Sequence, residues 1–179
     1  MSTISPGADP LFLRGAFKTE IIMHLKNIVY SFACQAFSAV IGAAIYEHLC
    51  VVPRWAAAPP YSLSMFQGEY ALNPEAFWIP IHPVTLLLLI ITLVLSWKTP
   101  RRKNLLVAVS GYIVILIITG IYFVPQLLEI TGTPYSAEVD VELTGRAKMW
   151  EALSIVRLFV LVVLSIALFL GLTKPSAVD

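Results

Sequence analysis

The chain is 179 residues long, 58% hydrophobic and only 13% charged, with a formal net charge of +1 and a mean hydropathy of +0.82. This balance lies far outside that of soluble domains and marks an integral membrane protein. A charge so close to neutral gives no footprint for nucleic acid, and no nucleic-acid partner is expected.

Four apolar runs, about 27–50, 77–97, 105–126 and 149–172, stand out along the chain. Each is long enough for the ~20 helical residues that cross a hydrocarbon core of roughly 30 Å. They lack the alternation of barrel strands, and unpaired backbone groups cannot face lipid, so the spans are read as helices. The expected architecture is all-α: an integral membrane four-helix domain over 27–173, an N-terminal cytoplasmic segment 1–26 and a cytoplasmic tail 174–179.

"SPGADP" at Ser5–Pro10 reads as a flexible lead. "LFLRGAFKTEIIMHLK" at Leu11–Lys26 is either an amphipathic helix lying on the cytoplasmic face or a plain basic flank of the first span. That span starts too late, and is too long, for the apolar part of a cleaved signal, so it is expected to stay. Its Cys34 and Cys50 would stand about 24 Å apart along one helix and cannot pair within the chain. With no CxxC, thiol oxidoreductase chemistry is not indicated.

Loop one, "VVPRWAAAPPYSLSMFQGEYALNPE", carries too many Trp, Tyr and Pro residues for a solvated linker and is expected to fold back as a cap over the bundle. Loop three is expected to turn at Gly132–Pro134 and then form a helix, N-capped by Ser136, that runs into span four. The basic residues Arg14, Lys18, Lys26, Lys98, Arg101, Arg102, Lys103 and Lys174 gather at one end, whereas loops one and three are mixed or acidic. The positive-inside rule then puts both termini in the cytoplasm, in a multi-pass protein of the cell membrane, which for a bacterium is the inner membrane.

Polar residues recur on one face of each span: Ser31, Gln35, Ser38, Gly42 and Tyr46 in the first; His82, Thr85, Thr92 and Ser96 in the second; Tyr112, Thr119, Tyr122, Gln126 and Glu129 in the third; Trp150, Ser154 and Arg157 in the fourth. These faces are expected to point inward, the Ser, Thr and Gly members as ordinary packing and hydrogen bonding between helices. Arg157 is the sharpest signal, because an arginine inside a span costs on the order of 3 kcal/mol unless it meets a carboxylate or a cavity. Glu47 is its expected partner, with Glu129 as the alternative. His48 and His82, with Glu47 or Glu129, supply enough donors for a metal, and facing histidines can hold haem, but no HxxxH or ExxH spacing accompanies them. The cofactor is therefore unassigned. Trp55, Trp78, Tyr61, Tyr70, Tyr135 and Trp150 form an aromatic belt, of which some members can line a pocket for a flat molecule. Pro80, Pro83 and Pro125 are placed to bend spans two and three and open a cavity.

Taken in order, "YEHLCVVPRW…PPYSLSMF", "NPEAFWIPIHP", "SWKTPRR", "YFVP" and "MWEALSIVR" resemble the anthrone-oxygenase-like family of small four-helix membrane proteins, a domain-of-unknown-function group. The likeness runs from Tyr46 to about Arg157 and rests on Tyr46, Pro53, Trp55, Pro60, Asn73, Pro74, Phe77, Pro83, Trp97, Tyr122, Pro125, Trp150 and Arg157. It implies oxygenation of an electron-rich phenolic or quinone-like substrate without a conventional flavin, haem or metal. On that reading Glu47 or His48 is the base, His82 an alternate, and Arg157 the holder of the anion. Trp55 and Trp150 would stack on the rings, with Tyr46, Tyr122, Gln126 and Glu129 around the substrate. The competing reading is non-enzymatic: a small-molecule or ion carrier, expected as a homo-oligomer, or an accessory subunit. In either case lipid surrounds the bundle, and the first reading adds a small apolar aromatic ligand.

Overall fold

The computed structural model describes residues 10–176. The expected lead at Ser5–Pro10 falls, but for Pro10, outside them, as does the end of the tail. The described chain contains no strand, and its helices are α1 (Pro10–Tyr46), α2 (Val52–Trp55), α3 (Glu75–Leu95), α4 (Arg102–Ile118), α5 (Val124–Thr131) and α6 (Val141–Leu172). A wider π-helical turn, Glu47–Val51, joins α1 to α2, and another, Thr119–Phe123, joins α4 to α5. Among the described residues, four helical stretches are long and apolar enough to cross a membrane: Glu20–Trp55, Glu75–Leu95, Arg102–Thr131 and Val141–Leu172.

These four pack in a ring in which α1 touches α3 and α6, and α4 touches the same two helices. The apolar core of the ring is built from Tyr30, Phe37, Leu89, Leu105, Tyr112 and Leu168 and their neighbours. A second cluster lies at the opposite end from the chain termini, where Val52, Trp55 and Leu63 of loop one meet Phe123, Ile130, Ala147 and Trp150. Loop one is thus the expected cap. It is held by a hydrogen bond from the Ser62 hydroxyl to the Trp55 carbonyl (2.6 Å) and by one from the Asp140 N–H to the Pro59 carbonyl (3.0 Å).

The helix ends bear on three expectations. The segment Leu11–Lys26 does not form a separate helix, since α1 is continuous from Pro10 through 37 residues, or about 55 Å at helical rise. The helix expected to run from loop three into span four is α6, continuous from Val141 to Leu172. Its N-cap is Asp140, whose carboxylate accepts from the Leu143 N–H (3.0 Å), while the Ser136 hydroxyl accepts from Glu138 N–H within the loop. Aspartate is as good a cap as serine and adds a charge that suits the helix dipole.

At the end carrying the termini, Arg101 is almost fully buried, at 4% exposure. Its Nε donates to the Lys174 carbonyl (2.8 Å), one Nη to Asn27 Oδ1 (2.7 Å) and the other to the Leu172 carbonyl (3.4 Å). The guanidinium therefore satisfies carbonyls left over at the C-terminus of α6, where the helix dipole also favours a cation. Burial draws its pKa below the ordinary arginine value. Beside it, Tyr30 donates to the Leu168 carbonyl (2.6 Å), and Gly171 leaves the room that lets α6 approach Tyr30 and Asn104.

Replacing Arg101 with alanine removes charge-assisted bonds worth roughly 1.5–3 kcal/mol each and should lower thermal stability in detergent markedly. Arg101→Lys should recover less than half of the loss, because one ammonium cannot span α1 and α6 as the guanidinium fork does.

Candidate functional site

Two prolines account for the gap that the bundle leaves beneath its cap. Pro53 and Pro125 have no N–H to give the carbonyls of Leu49 and Ile121, and their rings crowd the preceding turn. In both places the chain widens by a residue just before the proline: Val52 N–H bonds the Glu47 carbonyl and Val124 N–H bonds the Thr119 carbonyl. Such insertions re-aim side chains and are frequent at functional sites. Here they turn Glu47 and His48 inward from one side, and Thr119 and Phe123 from the other.

A cavity of about 580 Å³ lies between the two apolar clusters. Its polar lining comprises Glu47 and His48 after α1, Glu75, Trp78 and His82 of α3, Tyr112 of α4, Thr119, and Trp150, Ser154 and Arg157 of α6. The volume falls within the range of small-molecule sites, which are apolar with a few placed polar groups.

Each polar group is fixed differently. Trp78 Nε1–H donates to Glu47 Oε1 (2.8 Å), and the Trp78 ring stacks on His82 at 5.3 Å between centroids and 23° between planes. His82 Nδ1 and the Tyr112 hydroxyl share a 2.8 Å hydrogen bond, which leaves Nε2 for a ligand. His48 Nδ1–H donates to the Ala44 carbonyl (2.8 Å), since a carbonyl only accepts. His48 Nε2 lies 2.6 Å from Ser154 Oγ, so both ring nitrogens are engaged. Arg157 donates from Nη1 to Thr119 Oγ1 (3.1 Å), and its Cζ stands 4.2 Å from the centroid of the Phe123 ring. Phe123 is held in turn by its carbonyl, which accepts from Trp150 Nε1–H (2.9 Å).

Of the expected site residues, Glu47, His48, His82, Trp150 and Arg157 are brought together around this cavity. The ion pair expected between Arg157 and Glu47 does not form: Glu47 is bound by Trp78, and among the described residues no carboxylate lies within ion-pair distance of Arg157. Tyr46 points away, 62% exposed. Trp55, at 2% exposure, is sealed under the cap against Trp150, 5.5 Å between centroids, and has no face left for a substrate. Gln126 and Glu129 both accept from Arg146 on the flank of α6, and Tyr122 lines an outer groove instead of the cavity. The cause of the last three corrections is the widened turn at Thr119–Phe123, which advances the inward face by one residue, so that Phe123, Leu127 and Ile130 point in.

The face of span one is corrected as well. Tyr30, Ala33, Cys34, Phe37 and Val40 are buried, while Ser31, Gln35 and Gly42 are exposed on the outside of the bundle. Trp78, expected in the aromatic belt, and Phe123, which no sequence pattern singles out, both line the cavity. The Trp78 and His82 pair, four residues apart and so on one helix face, was the available signal for the first; nothing marked the second. Among the described residues no three His, Cys, Asp or Glu side chains converge at metal-ligand spacing.

Fold and cavity together define a membrane four-helix bundle with a charged pocket inside its helices. Comparison with known proteins finds no matching family model, no matching characterised protein and no matching solved structure.

Trp55→Ala should empty the cap's core at a cost of roughly 3–5 kcal/mol, read as a lower melting temperature and faster proteolysis within loop one. Trp150→Phe, which leaves a smaller ring in that core and takes a donor from the Phe123 carbonyl, should cost roughly 1–3 kcal/mol.

Proposed function

We propose that this cavity is the active site of a cofactor-poor membrane oxygenase or related oxidoreductase, acting on a small phenolic or quinone-like aromatic molecule. The observation that carries the reading is Arg157: a guanidinium inside the bundle, without a carboxylate partner, facing a cavity that also holds an anchored carboxylate and an engaged but accessible histidine. An acidic oxygen on a ligand supplies the missing counter-charge.

The chemistry suits these groups. A phenol-activated methylene loses a proton to Glu47, whose Oε1 is fixed by Trp78, or to His82 Nε2. Arg157 holds the enolate oxygen through the transition state. The carbanion reacts with dioxygen, the returned proton completes a hydroperoxide, and loss of water leaves a carbonyl; one dioxygen is consumed per methylene oxidised, one of its oxygen atoms leaving as water. His48 is a holding residue in this scheme, because both its nitrogens are engaged, and Trp78 takes the ring-facing role first given to Trp55. The distribution of basic residues supports a cap facing away from the cytoplasm.

With a hydroxylated anthrone as probe, the purified protein should consume oxygen. Arg157→Gln and Glu47→Gln should each lower turnover about 100-fold or more, while Trp97→Phe at the far end leaves it unchanged. Turnover that survives both substitutions overturns the reading, and transfer of the unaltered probe across a vesicle membrane would instead make the protein a carrier. In intact cells of a Cys34→Ala variant, a membrane-impermeant maleimide should label Cys50, which is exposed at the capped end; labelling only after lysis reverses the orientation.

A further inference from the structure

A second hollow adjoins the cavity. It is a groove of about 640 Å³ on the outside of the bundle between α4 and α6, lined by residues that include Gly111, Val114, Tyr122, Leu153, Val156 and Val160. Ile115, Phe123 and Arg157 line both hollows. Arg157 and Phe123, stacked at 4.2 Å, therefore form the wall between an inner polar chamber and a channel open to lipid.

The groove itself is apolar. Arg157 is the one charged residue in its lining, and the Ser110 hydroxyl is spent on its own helix, donating to the Leu106 carbonyl (2.6 Å). A plain acyl chain laid there would face a guanidinium with nothing to offer it, at high cost. A phospholipid fares no better. Arg157 lies eight residues past Met149, where the apolar stretch of α6 begins, or about 12 Å at helical rise, inside the hydrocarbon region and away from a phosphate held at the membrane surface. What fits both hollows at once is a molecule with a small acidic oxygen at the depth of Arg157 and an apolar chain leading away from it.

Resting on the proposed function for the nature of the head, we propose that the substrate is a single-tailed phenolic amphiphile that enters sideways from the lipid. Its aromatic head lies in the cavity with the oxygen on Arg157, and its alkyl or isoprenoid tail lies in the groove between α4 and α6. The Phe123 and Arg157 side chains are then the threshold the head crosses, and the tail's fit selects long-chain phenols over water-soluble ones.

The test uses the full chain in phosphatidylcholine nanodiscs and a long-chain alkylphenol with a diazirine in mid-tail, photolysed and mapped by mass spectrometry. The label should fall on α4 and α6 around Val114 and Val160 and be competed by unlabelled alkylphenol. Val156 is 59% exposed, so Val156→Trp should fill the groove without touching the core and cut this labelling by about tenfold. Arg157→Gln should also cut it, by releasing the head. Label spread evenly over all lipid-facing helices, unmoved by competitor or by Val156→Trp, overturns the proposal. Binding of a tail-less phenol, followed by quenching of Trp78 fluorescence against a Trp78→Phe control, separates the two readings. If tail-less phenol binds while the groove stays unlabelled, the tail site falls and the proposed function stands. If neither phenol binds, both fall.

Discussion

A guanidinium cannot be left bare among helices in lipid, and the two arginines drawn into this bundle meet that constraint in opposite ways. Arg101 spends its donors on main-chain carbonyls at the end of α6 and on Asn27, so it ties three segments together and has little left to offer. Arg157 has one hydroxyl and one aromatic face, which is poor compensation for a delocalised cation with five donors. The first is a fastening. The second is an unfinished interaction, and the space beside it is where a ligand can finish it.

The unfinished state is possible because the bundle is not packed to one continuous core. Helical periodicity on α1 and α4, had it run unbroken, would carry apolar residues inward along the whole ring. Pro53 and Pro125 interrupt both helices toward the capped end, and the widened turns before them turn Glu47, His48 and Thr119 to the interior. The aromatic cluster of the cap then closes the far end with Trp55, Trp150 and Phe123. The cavity is the gap between a helix-packed core and a loop-packed one, and the prolines decide which polar residues line it.

This also shows how far the sequence was legible. The four spans, the all-helical class and the cap were readable, because hydropathy and aromatic content report on partition directly and need no knowledge of neighbours. The inward faces were only half readable. In water the apolar face is the buried one, but in lipid both faces are apolar, so the stripe of Ser31, Gln35 and Gly42 carries no sign and lies outside. On α6 the same reasoning succeeded, since Trp150 and Ser154 are buried and Arg157 is costly enough to fix the phase. On the third span it worked up to Thr119 and then slipped by one residue, to Tyr122, Gln126 and Glu129, because a single inserted residue cannot be seen in a periodic pattern.

The expected pairing of Arg157 with Glu47 failed for a reason that bears on chemistry. Trp78 reaches Glu47 first, and a neutral N–H donor holds a carboxylate in place without neutralising it. Had Arg157 closed on Glu47, each would have satisfied the other, leaving a cavity with a weak acid–base character and a buried ion pair of little net worth. Held by Trp78 on one side and by Thr119 and Phe123 on the other, the two side chains face the same space, where the proposed reaction calls for a base and an anion holder. The proposed chemistry rests on that separation more than on the presence of either residue, because it asks the site to take a proton from one atom of a ligand while stabilising charge on another.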